Sequence, residues 1–218
     1  MSLQITSDGS HTVISDRYNV PYHSIHGAIQ ETKHVFITNG FLRCKKDILK
    51  ILEIGLGTGL NALATLDSNS ILQKEISYTA LEAYPLEQVF VDGLNYNSFF
   101  NSTLMHAFDT IHHCHWNKNI SLSESFSFKK ILKKLQEFES DELFDLVYFD
   151  AFAPNAQPEM WSTAIFQKMY GLMDSGGILV TYCAKGQVKR DLRSVGFQVE
   201  SPPGPPGKRE MTRAIKEH

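Results

Sequence analysis

The residues best equipped for chemistry stand at the ends of short apolar runs. The run LKILEIG (49–55) leads into Glu53-Ile-Gly55-Leu-Gly57-Thr-Gly59-Leu-Asn61. Glycines between a strand and a helix let the chain turn sharply and let a ligand approach the main chain. The helix that follows offers free N–H groups at its start. A dinucleotide fingerprint would put its third glycine where Leu60 stands and its ribose acid about 20 residues on. Here the next strand-end acid, Glu82, lies 27 residues beyond Gly55. Glu53 adds a carboxylate just before the loop, which would repel a pyrophosphate but pair with an ammonium or sulfonium cation. S-adenosylmethionine carries both cations, so it fits the loop better than a dinucleotide; the bare alternative is a tight turn. Glu82 would accept hydrogen bonds from the two ribose hydroxyls, or is a surface acid.

A second carboxylate, Asp150, follows Leu146-Val147-Tyr148-Phe149 and precedes Ala151-Phe152-Ala153-Pro154. Open α/β sheets bind ligands outside the carboxyl ends of their strands. With an amine as acceptor, Asp150 would orient the N–H and take up the proton released on transfer. It would also stabilise an ammonium product. The plainer reading is a turn or helix-capping aspartate. Tyr182, Lys185 and Gly186 follow the next strand and belong to the same edge.

The elements that must position these groups alternate. Strands are read at 49–55, 76–83, 120–123, 126–131, 144–154 and 178–184. Helices are read after Gly59, from Pro85 to Asn95, at LKKLQEFES, at 161–173 with Ser162 or a neighbour as cap, and at VKRDLRSVG closed by Gly196. Residues 96–118 read as loop or weak helix, and DSGG as a turn. FQVES and EMTRAIK are the last strands, joined by PPGPPGK, a connection too short for a crossover and therefore an antiparallel hairpin. Residues 1–47 read as a small N-terminal cap of strands and turns, ahead of one domain at 48–218. The alternation predicts an α/β fold with a mostly parallel sheet.

Length and composition agree with one globular domain: 218 residues, 42% hydrophobic and 21% charged. No apolar run of about 18 residues exists to span a membrane, and no signal peptide is visible. Three scattered cysteines (Cys44, Cys114, Cys183) favour a reducing cytoplasm over a disulfide framework. The net charge of −3 conceals an asymmetry. From Cys183 to His218 eight Lys/Arg face four Asp/Glu, leaving the body of the chain at −7. A basic end on an acidic body suits a phosphate-bearing partner.

Several stretches resemble one family in order: LEIGLGTGLNAL, YTALEAYPL, FDLVYFDAFAPNAQPEMWS, GGILVTYCAKGQVKRDLRSVGF and PGPPGKREMTRA. They resemble the methyltransferase of the tRNA 5-methylaminomethyl-2-thiouridine pathway, which in some bacteria is fused to an FAD-dependent oxidase in a bifunctional MnmC-type protein. The resemblance covers about residues 16 to 216. It implies a class I Rossmann-like methyltransferase fold with a seven-stranded sheet, an antiparallel C-terminal hairpin and a small N-terminal extension. It implies S-adenosylmethionine as cofactor and the aminomethyl nitrogen of the wobble uridine, in the anticodon loop of tRNA, as acceptor. The methyltransferase part would stand alone, with a separate oxidase as a possible partner on the same tRNA.

Carried over by position, Glu53, Gly55, Gly57, Gly59 and Asn61 look like the methionine-end site, Glu82 the ribose acid, and Asp150 the catalytic carboxylate beside the cofactor. The segment containing Tyr22, Ser24 and Glu31 resembles the family's closing segment over cofactor and acceptor. Phe152 and Met160 would border the uridine, or pack. Lys185, Lys208 and Arg209 would meet tRNA phosphates, or are surface charges. The family's usual Gly-Asp after the third strand, which holds the adenine amino group, is replaced by Ile131-Leu132-Lys133-Lys134, leaving a backbone carbonyl for that role.

The run His112-His113-Cys114-His115 is not read as a metal site, since adjacent ligands cannot all face one ion without strain. Trp116 reads as a packing residue. Two competing functions keep the same residues: a small-amine methyl- or aminopropyltransferase, and a non-catalytic RNA-binding module.

Overall fold

The computed structural model describes residues 1–217. A hairpin of β1 (Ser2–Ile5) and β2 (His11–Ile14) forms a sheet of its own. Helix α1 (Ala28–Thr32) then continues into a π-helical turn at Lys33–Thr38. The body follows as β3 (Ile48–Ile54), α2 (Leu60–Leu72), β4 (Glu75–Glu82), α3 (Gln88–Asp92), α4 (Ser102–His113), β5 (Asn119–Ser123), β6 (Phe126–Leu132) and β7 (Phe144–Phe149). It closes with α5 (Thr163–Leu172), β8 (Met173–Thr181), α6 (Gly186–Ser194), β9 (Phe197–Glu200) and β10 (Thr212–Lys216).

The main sheet runs β5-β6-β4-β3-β7-β8-β10-β9. Its centre is parallel, and β10 inserts antiparallel between β8 and β9. The C-terminal hairpin is therefore present, with the last strand as its inner member. The sheet has eight strands rather than the seven expected; the added one is β5, paired antiparallel with β6 at the far edge.

Strand alternation sorts the core onto two faces. Leu49 and Ile51 of β3 and Leu146 and Tyr148 of β7 pack with residues of α1, α2 and α4. Leu52, Ile54, Val147 and Phe149 pack on the other face with Ile165, Phe166 and Met169 of α5 and Leu192 of α6. Val35, Phe36 and Phe41 belong to the first cluster, so residues 1–47 share the core of the body. Glu53 falls on the face of Leu49 and Ile51, the face that α2 covers.

Four local readings change. Residues 96–118 contain a full helix, α4, whose start is capped by the Asn101 side chain accepting from the Leu104 N–H at 3.0 Å. Its apolar residues Leu104, Ala107, Phe108 and Ile111 have helical spacing. DSGG is a bulge inside β8, where pairing jumps from Phe144↔Met173 to Leu146↔Ile178. LKKLQEFES and Pro85–Asn95 shorten to a single 3₁₀ turn at Leu135–Glu137 and to α3. Ser162 does cap α5, accepting from the Ile165 N–H at 3.4 Å. Ser162→Ala is expected to lower stability by about 1 kcal/mol, read as a lower urea midpoint with unchanged slope.

Candidate active site

Strands β4 and β6 lie on one side of β3 and β7 on the other, so the chain order reverses between β3 and β7. Their carboxyl ends diverge there and leave a crevice. The Asp150 N–H donates to the Ile54 carbonyl at 3.1 Å, setting the glycine loop beside the Asp150 loop. Gly55 has φ +89°, and a Cβ there would stand 2.9 Å from the Asp150 carbonyl oxygen. Only glycine fits that approach. Gly55→Ala is expected to push the two strand ends apart and abolish cofactor binding, measured by calorimetry.

A cavity of about 650 Å³ opens at this crevice. Gly55 and Gly57 form one wall, Glu82 and Tyr84 a second, Asp150 and Phe152 a third. Glu82 ends β4 and is held by two backbone N–H groups, Gly57 at 3.0 Å and Tyr84 at 2.8 Å. Burial nonetheless raises its pKa above the ordinary carboxylate value. Each carboxylate oxygen keeps a lone pair toward the cavity, enough for two further hydroxyl donors.

Beneath the floor lies a buried polar chain. Asn61, on the first turn of α2, donates through Nδ2 to Glu53 Oε1 at 3.0 Å and to Asp150 Oδ2 at 2.8 Å. Its Oδ1 accepts from the Thr32 hydroxyl at 3.0 Å, so one carboxamide ties β3, β7 and α1 together. Glu53 is fully buried and does not reach the cavity wall in this structure. Its Oε2 has no hydrogen-bond partner, nor does the Tyr78 hydroxyl beside it. Burial, and then the charge of Asp150, hold the Glu53 carboxyl well above its ordinary range. Asp150 is pushed up to about 7, by burial first and then by Glu31, against the pull of Asn61 and Lys208.

The N-terminal segment arches over the cavity. Tyr18 and Tyr22 pack on Phe152 with ring centroids 4.7 and 4.9 Å away. The Arg17 guanidinium lies 3.7 Å from the centre of the Tyr84 ring. His23, which the sequence did not single out, bonds through Nε2 with the Thr58 hydroxyl at 2.6 Å. Tyr96 donates to the same hydroxyl at 3.1 Å. Burial lowers the His23 ring to about 4, so it is neutral and locks the segment onto the glycine loop. Gly59 is the left-handed cap of α2 and packs against His112, whose Nε2 meets the Thr58 carbonyl at 3.1 Å. That glycine and that histidine shape the loop from behind.

The loop after β6 supplies what the stretch 131–134 lacked. Leu135, Gln136 and Glu137 line the cavity, and Lys133 is tied by its N–H to the Glu82 carbonyl at 3.0 Å. A carboxamide and a carboxylate, not only a backbone carbonyl, are present as acceptors on that side.

Beyond Phe152 a second, more open groove of about 530 Å³ is lined by Ala153, Pro154, Tyr182, Lys185, Lys208 and Arg209. The basic C-terminal end is less free than its count suggested. Lys189 pairs with Glu210 at 2.6 Å, Arg213 with Glu200 at 2.7 Å, and Lys208 with Glu31 at 2.6 Å. Among the described residues Lys185 bonds to the Asn155 carboxamide, and Arg209 is exposed. Ser24 lies off both cavities, where its N–H donates to Glu31 Oε2 at 2.8 Å.

A strand-to-helix glycine loop, an acid at the next strand end and a carboxyl at the reversal point describe a nucleoside-cofactor crevice. A model of the S-adenosyl-L-methionine-dependent methyltransferases matches residues 96–217. The chain belongs to that family. Among curated relatives, the methyltransferase is 32% identical to a protein of Pseudoalteromonas atlantica over 98% of this chain and 33% of that one. It is 30% identical to one of a Marinomonas strain over 91% of this chain and 31% of that one. Both are named tRNA 5-methylaminomethyl-2-thiouridine biosynthesis bifunctional protein MnmC. The chain thus spans about a third of the length of these relatives. The crystal structure of MNMC2 from Aquifex aeolicus superposes with a TM-score of 0.80 at 25% identity, covering 98% of this chain and 69% of that one. Spermidine synthase from Thermotoga maritima, at 11% identity and a TM-score of 0.54, shares the fold.

The crevice fits S-adenosylmethionine. The methyltransferase has a buried acid with an orphaned oxygen beneath the glycine loop, a cradle that a Cβ would fill, and a strand-end carboxylate with spare lone pairs. Among the described residues no helix is long and apolar enough to cross a membrane.

Proposed function

We propose that this methyltransferase converts 5-aminomethyl-2-thiouridine at the tRNA wobble position to 5-methylaminomethyl-2-thiouridine, acting in the cytoplasm on the anticodon loop. The observation that carries the reading is Asp150: a half-buried carboxyl poised at about 7 in the wall of the cofactor cavity, with a groove edged by lysine and arginine beyond Phe152. The names of the relatives point the same way.

When bound, S-adenosylmethionine supplies a methyl group on a sulfonium that leaves as a neutral thioether. Glu82 would hold its ribose hydroxyls, the main chain at Gly55 and Gly57 would lie against it, and Gln136 and Glu137 would meet the adenine amino group. Glu53 would serve the methionine end from below. Asp150 accepts a hydrogen bond from the acceptor amine and so aims its lone pair. Asp150 takes the one proton that the acceptor nitrogen gives up to free that lone pair, and the methylated product keeps its remaining protons. Tyr18, Tyr22 and Phe152 exclude water, and Lys185 and Arg209 position the RNA backbone. The wobble base must leave its stack to reach Asp150, which a single-stranded loop permits.

The aminopropyltransferase alternative gains only a shared fold from the spermidine synthase likeness. A competition titration should show preference for intact over decarboxylated S-adenosylmethionine. The deciding experiment is nucleoside analysis of tRNA from cells lacking this protein. Accumulated 5-aminomethyl-2-thiouridine supports the proposal; an unchanged nucleoside profile overturns it.

A further inference from the structure

One side chain links the groove to the buried Glu31 carboxylate. Lys208 lines the groove, and its ammonium reaches inward to Glu31 Oε1 at 2.6 Å. The same nitrogen lies 4.0 Å from the centre of the Tyr182 ring. Tyr182 is anchored by donating its hydroxyl to the Ala151 carbonyl at 2.8 Å, one residue from Asp150. The Glu31 side chain is only 7% exposed. Glu31 is itself oriented by the Ser24 N–H and placed by α1. A carboxylate and an aromatic face around one nitrogen, close enough for its charge to act on Asp150, make a site for an alkylammonium. The occupant belongs to a loop built to present it. A Cβ at Gly204 would meet the Lys208 and Glu210 backbone within 2.8 Å, and one at Gly207 would meet the His26 ring at 2.2 Å. The loop is further seated by His34, whose Nε2 bonds the Pro203 carbonyl at 2.8 Å.

We propose that Glu31, Tyr182 and Asp150 form the subsite for the acceptor's primary ammonium, and that Lys208 is a resident cation which the acceptor displaces. The inference rests on an amine acceptor, as in the proposed function, and adds which groups recognise it. The exchange keeps Glu31 paired throughout: one ammonium leaves as another enters, so no buried carboxylate is left alone. Glu31 and the Tyr182 ring hold the ammonium, and Asp150 receives its proton to free the lone pair. The released Lys208 swings into the groove beside Arg209 and Lys185, where a phosphate can take it. An RNA lacking the aminomethyl group has no cation to offer and leaves Lys208 in place. The device selects for the modified base.

The test compares two anticodon stem-loop RNAs, one with 5-aminomethyl-2-thiouridine and one with 2-thiouridine, by fluorescence anisotropy. The wild-type protein should bind the aminomethylated RNA about tenfold tighter. Glu31→Gln should reduce that preference to less than about twofold, by removing the charge that pairs with the ammonium. Tyr182→Leu keeps the Glu31–Lys208 pair and should reduce it about threefold through loss of the ring face. Lys208→Met keeps the apolar stem, removes the competitor, and should enlarge the preference. No preference in the wild type, or a preference that survives both Glu31→Gln and Tyr182→Leu, overturns the subsite. So does a preference lost in Lys208→Met, which would make that lysine a plain contact. Methyl transfer to the same RNA is read separately. Preference without transfer defeats the proposed reaction and leaves the subsite standing, whereas transfer without a Glu31-dependent preference defeats the subsite alone.

Discussion

Asp150→Asn is expected to lose about 10²- to 10⁴-fold in kcat, the range for removing a positioned general base. Cofactor affinity should change little, because the introduced carboxamide oxygen can still accept the Asn61 bond now made at 2.8 Å. The wild-type rate should rise with pH and level off above about 7, where Asp150 loses its proton. The variant should lack that rise. Stability carries the opposite sign. The folded Asp150 holds a proton up to about 7, whereas an unfolded aspartate releases it near pH 4. Between those values the folded state binds more protons, so stability falls as pH rises through the window. Thermal melts should show the wild type losing more stability than Asp150→Asn between pH 4 and pH 7. A variant that keeps full activity defeats the general-base role.

Asn61→Leu carries the second large effect. The leucine has the same side-chain branching and heavy-atom count and stays on α2, but both carboxyls lose their shared donor. A hydrogen bond to a charged group is worth about 1.5–3 kcal/mol, or roughly 1–2 pH units. The midpoint of the pH–rate profile should therefore move up from about 7 by that amount. Thr32 is left with a buried, unpartnered hydroxyl, which adds about 1–3 kcal/mol of destabilisation. An unmoved midpoint in a folded variant would show that Asn61 does not tune Asp150.

Much of the frame was legible before the structure. Periodicity placed the parallel strands, and the short PPGPPGK connection required an antiparallel hairpin. Ser162 announced α5 by the chemistry of capping. Helix α4 was obscured because its polar face carries His106, Thr110, His112 and His113, and its Asn101 cap followed a run read as loop. Strand β5 was read as a strand, but its place as an eighth, antiparallel member depends on pairing with β6.

At the site, residue type and spacing identified groups but not their connections. Gly55, Glu82 and Asp150 each ended an apolar run, and the structure brings all three to one cavity. Glu53 belonged to the same motif yet lies below the floor, because the strand turns it toward α2. His23 stood in the resembling N-terminal segment without a role of its own and Tyr96 carries no motif; they meet at Thr58 from 35 and 38 residues away in sequence.

The sequence by itself determined the α/β class, the glycine loop, the acids at two strand ends and the local chemistry of turns and caps. These depend on neighbours within a few positions and on the period of apolar residues. Only the tertiary structure decided that one carboxamide bridges two carboxyls, that Asp150 sits near 7, and that Lys208 faces Glu31 rather than solvent. Burial and charge proximity set those properties, and both arise from segments as far apart as 177 residues. A count of basic residues near the C-terminus could not show which were already paired.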